Sequence, residues 1–397
     1  MKKAYVVTFI TAILTIVLFY FVAAEVKKTN VGNKVKIGVV YVGDASNAYT
    51  HNFIKAITTI ENTYGEDVEI LSKYNIPEGE EEKEILDLAE SGCDIIFGTS
   101  FGYAGSMKKT AQAYPDIEFC QATGTNANED PIVKNYHTFM GEIYQGRYAA
   151  GVVAGMKLRQ LIDDGVISEE DARIGYVAAF PYAEVISGYT AFLMGVRSEV
   201  DSAVMYVKYT NSWSDYLLEK QYANELIDEG CILISQHSDT TGPAVACEER
   251  DVKTVVYHVG YNISMIDVAP TTSLVSSRIN WEPYMSAAVD AMVHDDPIED
   301  HVKGNKFGKD VGAGFDRGWV QMLRINESIA APGTKQRIDS VIEDLNNGTL
   351  DVFKGDYTGK DPFDPTDTID LRNGYRENAT SSAPTFHYVL DDCIVVE

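Results

Sequence analysis

Side chains suited to recognising a flat, polar molecule follow several apolar, β-branched runs of the sequence. The segment 43–51 (GDASNAYTH) supplies Asp44 and Tyr49, and the segment 99–103 (TSFGY) supplies Phe101. Later apolar runs are followed in the same way by a ring, a carboxylate or an amide, at Phe180, Trp213, Asp239 and Asn262. An aromatic face can stack on a planar ring while carboxylates and amides bind its polar edge. These residue types predict a binding site for a small molecule.

Histidines and glycines do not form the spacings expected of a metal site or a phosphate loop. The seven histidines include no HExxH or HxH pair, and His237 with Asp239 has no third candidate ligand nearby in sequence. Gly312 and Gly314 lack the GxGxxG spacing of a nucleotide-binding turn. We therefore expect neither enzymatic activity nor a bound metal or cofactor.

Length and charge set further limits. The 397 residues, 45% of them hydrophobic, exceed what one core usually organises, so two lobes are expected. Thirty-three basic and 59 acidic residues give a net charge of −26, which disfavours a nucleic-acid partner. The five cysteines form no CxxC pair and are expected to be buried as small hydrophobes rather than bridged.

The N-terminus has the pattern of an export segment. Two lysines precede an uncharged apolar stretch from Ala4 to Ala24, which is long enough to span a bilayer. Residues 1–24 are thus a cleaved signal peptide or a retained membrane anchor, two alternatives that the sequence leaves open. A linker, 25–33, follows, and the remainder is expected outside the cytoplasm, associated with the membrane through this segment.

Strands and helices alternate after the linker. Strands are predicted at 34–42, 68–74 and 93–98, with helices at 52–64 and 81–91 between them. The same pattern recurs later, since RIGYV at 173–177 matches KIGVV at 36–40, and LIDEGC at 226–231 matches LAESGC at 88–93. The offsets of 137 and 138 residues between these matches predict two duplicated α/β lobes.

The predicted boundaries follow from this duplication. Lobe 1 covers 34–160 with a returning segment near 260–295, and lobe 2 covers 171–258 with a returning segment near 300–357. A closely packed helix, 147–161, leads into lobe 2, and 358–397 is a C-terminal tail that is mostly loop. Ligands of parallel α/β sheets bind beyond the carboxyl ends of the strands, so the cleft between the lobes is the expected site.

Several segments together resemble one protein family. They are FGTSFGY at 97–103, GEIYQGRY at 141–148, GYVAAFP at 175–181 and NWEPY at 280–284. These segments are similar to the basic-membrane-protein (PnrA-like) branch of solute-binding proteins, over about 34–359. The resemblance implies a two-lobed class I periplasmic-binding-protein fold, each lobe a parallel sheet flanked by helices. It also implies a purine nucleobase or nucleoside as ligand and the permease subunits of an ABC importer as partners.

The resemblance also implies roles for individual residues. Tyr49 and Phe180 are the expected stacking rings, and Asp44 and Asn262 stand where the family places polar groups on the ligand. Four other predicted ligand contacts complete the cleft, namely Phe101, Trp213, Asp239 and Trp281. Family members often carry an acid near Asn262, and an amide there favours a free base over a nucleoside. The alternative function is a membrane-anchored ectodomain that senses a small molecule.

Overall fold

The computed structural model describes residues 34–397, so the predicted export segment 1–24 and linker 25–33 lie outside the described residues. The described chain forms two seven-stranded sheets and one three-stranded sheet. The predicted two-lobed α/β architecture is confirmed, with one large sheet in each lobe. Within residues 34–397 no helix is both long and apolar enough to cross a membrane.

Lobe 1 contains six parallel strands and one antiparallel edge strand, Asn305–Phe307. From that edge, the strands that follow across the sheet are Asp310–Ala313, Tyr136–Gly141, Glu118–Ala122, Ile95–Gly98, Val35–Val40 and Val68–Lys73. The helices of this lobe are Ala48–Tyr64, Glu81–Glu90, Ala104–Ala113, Glu282–His294 and Ile298–His301. Strand Ile95–Gly98 is buried at all four residues, as expected of a parallel strand covered on both faces.

Lobe 2 repeats this arrangement. Its antiparallel edge strand is Val320–Met322, and the others across the sheet are Ser273–Ile279, Tyr257–Tyr261, Leu233–His237, Arg173–Ala178, Val204–Tyr209 and Ile394–Val396. Its helices are Ile143–Asp163, Ala183–Arg197, Tyr216–Asp228, Gly242–Glu248 and Thr334–Asn347. All five cysteines are free and buried, as predicted.

The two matching sequence segments occupy equivalent places in the lobes. A Cβ at Gly38 would lie 3.1 Å from Leu88 Cδ1, and a Cβ at Gly175 would lie 2.8 Å from Leu226 Cβ. Each glycine therefore lets the leucine of a covering helix reach the sheet closely. The repeat detected in the sequence thus corresponds to the same contact between a helix leucine and a strand glycine in each lobe.

The chain crosses between the lobes at three places, after Gly141, Ile279 and Ala313. The crossings touch one another, since Glu142 N donates to Ala313 O at 2.9 Å and Asn280 N to Trp319 O at 2.7 Å. They form a common hinge region.

The returning segments divide differently from the prediction. Segment 260–295 was assigned to lobe 1, but Ser273–Ile279 pairs with Tyr257–Tyr261 in lobe 2, and only the following helix reaches lobe 1. Segment 300–357 was assigned to lobe 2, but Asp310–Ala313 completes the lobe 1 sheet beside Tyr136–Gly141. In both cases the chain first completes a strand that pairs within one lobe, and only then crosses to the other lobe.

The C-terminal segment is more structured than the predicted loop. It forms a small antiparallel sheet from the strands Thr358–Lys360, Thr368–Asp370 and Val389–Leu390. Its last strand, Ile394–Val396, extends the lobe 2 sheet. These strands are only two or three residues long, which is too short for sequence periodicity to reveal.

Candidate functional site

A cavity of about 400 Å³ lies between the lobes at the carboxyl ends of the strands. Its lining is Val42, Tyr49, Ser100, Phe101 and Thr123 from lobe 1, and Glu184, Trp213, His237, Asp239 and Tyr261 from lobe 2. The lobes touch beside it, because Ala48 N donates to Asp239 O at 3.3 Å. Asn52 Nδ2 also donates to Asn262 O at 2.9 Å, so the conformation is closed.

Aromatic rings from both lobes form the walls. Tyr49 is fixed by the bond from its hydroxyl to Thr99 O at 2.6 Å. At the mouth, Phe101 of lobe 1 and Tyr182 of lobe 2 are 41% and 45% exposed, and their ring centroids lie 5.8 Å apart. Trp213 lines the lobe 2 wall. The mouth is therefore closed by one aromatic contact between lobes.

Asp239 places a buried carboxylate in the cavity wall. Its Oδ1 accepts a bond from Asn262 Nδ2 at 2.9 Å, while its Oδ2 has no hydrogen-bond donor among residues 34–397. Burial, and then the charges of Glu219 and Glu184, raise the pKa of Asp239 well above its usual range, which the bond from Asn262 opposes. One carboxylate oxygen is therefore left for a ligand.

His237 and Glu184 form a second polar group in the same wall. His237 Nε2 lies 3.6 Å from Glu184 Oε1, and neither ring nitrogen of the buried His237 has a hydrogen-bond partner among residues 34–397. Burial lowers the pKa of His237, as does the charge of Arg147, although Glu184 opposes this. The imidazole is thus neutral. Its Nδ1 faces Gly188, where an added Cβ would lie only 2.4 Å away.

Tyr261 connects the cavity to a buried cation. Its ring centroid lies 4.5 Å from that of His237 on one side and 5.4 Å from the guanidinium of Arg147 on the other. Arg147 is fully buried and donates to Ser235 Oγ at 2.7 Å and to Gly260 O at 3.2 Å. The guanidinium therefore supplies positive charge behind the cavity without lining it.

Four of the eight predicted site residues line the cavity, namely Tyr49, Phe101, Trp213 and Asp239. Asn262 is a direct neighbour through its bond to Asp239. Its backbone φ of 67° is tolerated best by asparagine among residues with a side chain. Phe180 lies behind the lining, with its ring 5.0 Å from Tyr182 and 5.3 Å from Trp213.

Two predicted residues lie elsewhere. Asp44 closes its own loop, because Oδ1 accepts from Ser46 N at 2.9 Å and Oδ2 from Asn75 Nδ2 at 3.3 Å. Trp281 is 1% exposed and stacks on Phe53 at 4.5 Å in the lobe 1 core. Its place is a correction to the predicted cleft position, because the helix that follows it packs against the helix Ala48–Tyr64.

Sequence reasoning did not select Glu184, His237 or Tyr261. Glu184 lies in the first turn of the helix that follows strand Arg173–Ala178, and the other two residues are the last of their strands. The prediction chose one ring, carboxylate or amide from each of these segments, namely Phe180, Asp239 and Asn262, and passed over their neighbours. Position at the carboxyl end of a parallel strand is the signal that could have identified them.

Ser100 stands in a GxSxG spacing, Gly98–Gly102, which also occurs in hydrolase nucleophile turns. Its Oγ donates to Glu78 Oε1 at 2.7 Å, and its backbone has φ −115° and ψ 146°, which is ordinary extended geometry. No histidine among residues 34–397 hydrogen-bonds to this hydroxyl. The segment therefore lacks the geometry of a nucleophile turn.

One group among residues 34–397 has metal-ligand types close together, although it lies away from the cavity. Ligand atoms of Asp361, Asp367 and His387 lie within 4.8 Å of one another in the C-terminal segment. His387 Nε2 is 3.4 Å from Asp367 Oδ2 and 3.7 Å from Asp361 Oδ2, so the imidazole itself lies within ion-pair distance of both carboxylates. We assign no metal to this group.

Known proteins resemble this chain in structure and in sequence. A solute-binding protein of an ABC transporter system from Aeropyrum pernix superposes with a TM-score of 0.64 at 13% identity, covering 79% of this chain and 92% of that one. A purine-binding protein from Brucella abortus is 31% identical over 253 residues, which are 63% of this chain and 67% of that protein. A Haloferax volcanii protein, named provisionally as an ABC transporter glucose-binding protein, is 32% identical over 267 residues, 67% of this chain and 61% of that protein.

A family description matches most of the chain. PnrA-like ABC transporter substrate-binding proteins (Bmp) match residues 34–348. Substrate-binding proteins of ABC importers bind a small molecule outside the cytoplasm, work with permease subunits and are not enzymes. The chain belongs to the family of PnrA-like ABC transporter substrate-binding proteins.

Proposed function

We propose that the protein captures a purine, as a free base in preference to a nucleoside, in the interlobe cavity and presents it to the permease of an ABC importer. The observation that carries this proposal is the lining itself. Rings from both lobes face a space in which the acidic and basic side chains are Glu184, Asp239 and the neutral imidazole of His237. Among residues 34–397, no lysine or arginine lines the cavity.

Such a lining selects for hydrogen-bond donors. An anionic ligand such as a nucleoside phosphate would meet Glu184 and Asp239 without a compensating cation. Purine bases are uncharged and flat, and they carry ring N–H or amino groups that can donate to carboxylate oxygens. Their faces can stack on Tyr49 and Trp213. The printed name of the Brucella relative gives the same ligand class.

One observation favours a base over a nucleoside. Asp44 and the amide nitrogen of Asn262 were expected to contact the ligand, but both already bond within the protein. Fewer polar groups therefore remain for a ribose diol.

Binding would require hinge motion. The aromatic contact at the mouth and the bonds from Ala48 and Asn52 to lobe 2 close the cavity. A ligand therefore enters an open form and stabilises the closed one, which the permease recognises.

Calorimetric titration of the purified protein tests the ligand class. The panel is adenine, guanine, hypoxanthine, adenosine, guanosine and adenosine monophosphate, with glucose and ribose as sugar arms. We expect micromolar or tighter binding of at least one base, weaker binding of its nucleoside and none of the phosphate. Binding of glucose with silence toward every purine would replace the proposal with sugar capture, the assignment in the Haloferax relative's name.

A further inference from the structure

The chain beyond residue 348, where the family match ends, returns to both lobes. Its last strand, Ile394–Val396, pairs with Val204–Tyr209 at the edge of the lobe 2 sheet. Phe386 and Leu390 are fully buried in the lobe 2 core. The C-terminal segment is thus an integral part of lobe 2.

One loop of this segment reaches across to lobe 1. We call residues 377–386 the clamp loop. Ser382 donates from its backbone N at 2.6 Å and from its Oγ at 2.5 Å to the carboxylate of Asp310, which lies in the lobe 1 sheet. Ala383 is buried in the lobe 1 core, only three residues before Phe386 enters the lobe 2 core. The loop therefore joins the two cores.

The contact with lobe 1 is close and buried. Asp310 is 3% exposed, and Thr138 Oγ1 and Ser381 Oγ complete its hydrogen bonds at 2.9 and 3.2 Å. A Cβ at Gly312 would lie 3.0 Å from the Cβ of Ser382, so this approach depends on a glycine. Bonds to a buried carboxylate are stronger than those between neutral groups.

The clamp loop is braced on its lobe 2 side. The buried carboxylate of Glu377 accepts from Ser187 Oγ at 2.6 Å, in the helix Ala183–Arg197, and from Thr385 N at 2.7 Å. Asn378 Nδ2 donates to the carbonyl oxygens of Ser381 and Ser382 at 3.0 and 2.7 Å. With both ends fixed in this way, the loop cannot stretch freely when the lobes separate.

The clamp loop also lies beside the hinge. Strand Asp310–Ala313 leads directly into the third crossing, and Ala313 O accepts from Glu142 N in the first crossing. We propose that the clamp loop is a non-covalent fourth connection between the lobes, which restrains their opening. Ser382 and Asp310 thereby act as positioning residues for the cavity without lining it. The restraint needs no ligand, whereas its effect on affinity rests on the proposed function.

The test compares Ser381→Ala/Ser382→Ala with Ser202→Ala. The control removes an exposed hydroxyl that bonds only to Glu169, within lobe 2. Small-angle X-ray scattering of the ligand-free proteins should show a larger radius of gyration for the double variant alone. Stopped-flow dissociation of the tightest-binding purine should be about tenfold faster, the change that about 1.4 kcal/mol produces.

An unchanged radius in the double variant would overturn the proposal. If that variant does not fold, Asp310→Asn provides the same comparison, because it keeps the side-chain volume but loses one acceptor for the clamp loop. A larger radius in a protein that binds no purine would leave the restraint standing and reject the proposed function. A larger radius with unchanged dissociation of a bound purine would reject the role in affinity.

Discussion

At the scale of single residues, Asp239 and Glu184 define what the cavity can recognise. The charge of Glu184 acts on Asp239, and no lysine or arginine of the described residues 34–397 joins them in the lining. Burial lowers the pKa of His237 against the opposing effect of Glu184, so the neutral imidazole supplies no charge to balance them. A ligand that donates hydrogen bonds would compensate these two carboxylates. Substitutions of Glu184 and Asp239 are therefore the most informative tests of recognition.

Replacing Glu184 by Gln is expected to weaken base binding by about 1.5–3 kcal/mol, the range for a hydrogen bond to a charged group. Calorimetry with the tightest-binding base measures the loss. The matched control is Glu61→Gln, an exposed position on the helix Ala48–Tyr64. Equal affinity in Glu184→Gln and the wild type would remove Glu184 from the recognition site.

Asp239→Asn is expected to lose affinity but to stabilise the ligand-free protein at pH 7. Folding raises the pKa of this carboxyl. The carboxyl therefore costs the wild type no stability below its unfolded-state pKa of about 3.9, and the protein loses stability as the pH rises from there toward the folded-state pKa. Asparagine keeps the acceptor for Asn262 without the charge. A gain of about 1 kcal/mol would raise Tm by ~2–4 °C. Thermal melts at pH 7 and pH 4 check this, since the gain must be much smaller at pH 4, where the carboxyl of the unfolded chain is about half protonated.

The aromatic residues differ in whether they line the cavity or lie behind its lining. Tyr49→Ala and Trp213→Ala each remove a ring from the lining, so each is expected to cost about 1–3 kcal/mol of base affinity. Phe180 only supports Tyr182 and Trp213, and its replacement by Ala is expected to cost less. Titration of the three variants ranks them. A larger loss for Phe180→Ala than for both others would contradict this placement.

At the scale of elements, close helix packing holds lobe 2 together. The helices Ile143–Asp163 and Ala183–Arg197 approach so closely that a Cβ at Gly151 would lie 2.0 Å from the carbonyl oxygen of Phe192. A Cβ at Gly195 would lie 2.1 Å from the carbonyl oxygen of Tyr148. The Ala- and Gly-rich composition of 147–161 predicted a closely packed helix, and the structure identifies its partner.

Gly151→Ala is accordingly expected to destabilise the protein by about 1–3 kcal/mol, because the backbones must move apart. Gly105→Ala is the control, since a Cβ there meets no atom within 4 Å in the helix Ala104–Ala113. That change should be neutral or stabilising by up to about 1 kcal/mol. Denaturant unfolding measures both, and equal stability of the two variants would contradict the packing account.

The predicted elements of lobe 1 agree with the structure because buried parallel strands produce continuous apolar runs. Strand 68–74 and helix 81–91 correspond to Val68–Lys73 and Glu81–Glu90. The short strands after residue 300 were not predicted because they have no clear local sequence pattern. They are stabilised by pairing with distant residues, as Asp310 pairs with Thr138. Four of the ten residues that line the cavity were predicted, because rings and carboxylates in loops are recognisable in sequence, whereas inward-facing strand ends such as His237 resemble core residues.

At the scale of the whole molecule, closure depends on few interlobe bonds. Asn52 takes part in two of them, since its Nδ2 donates to Asn262 O at 2.9 Å and its Oδ1 accepts from Arg278 Nη1 at 3.0 Å. These bonds form only when the helix Ala48–Tyr64 meets the strand ends of lobe 2. Together with the clamp loop they set the free-energy difference between the open and closed forms.

Asn52→Ala is expected to weaken base binding by about 1 kcal/mol, although Asn52 does not line the cavity. Thr58→Ala on the same helix is the control, because its hydroxyl bonds only to Ile54 O and is exposed. Stopped-flow kinetics should assign the loss to faster dissociation. A loss confined to association would mean that Asn52 acts before closure.

The most direct test of the central claim is a crystal structure of the protein with the tightest-binding purine of the panel. If the proposed function is right, the base lies between Tyr49 and Trp213, with its N–H groups within 3.2 Å of the carboxylates of Glu184 and Asp239. A purine bound outside this cavity, or one that leaves both carboxylates without a contact, would contradict it.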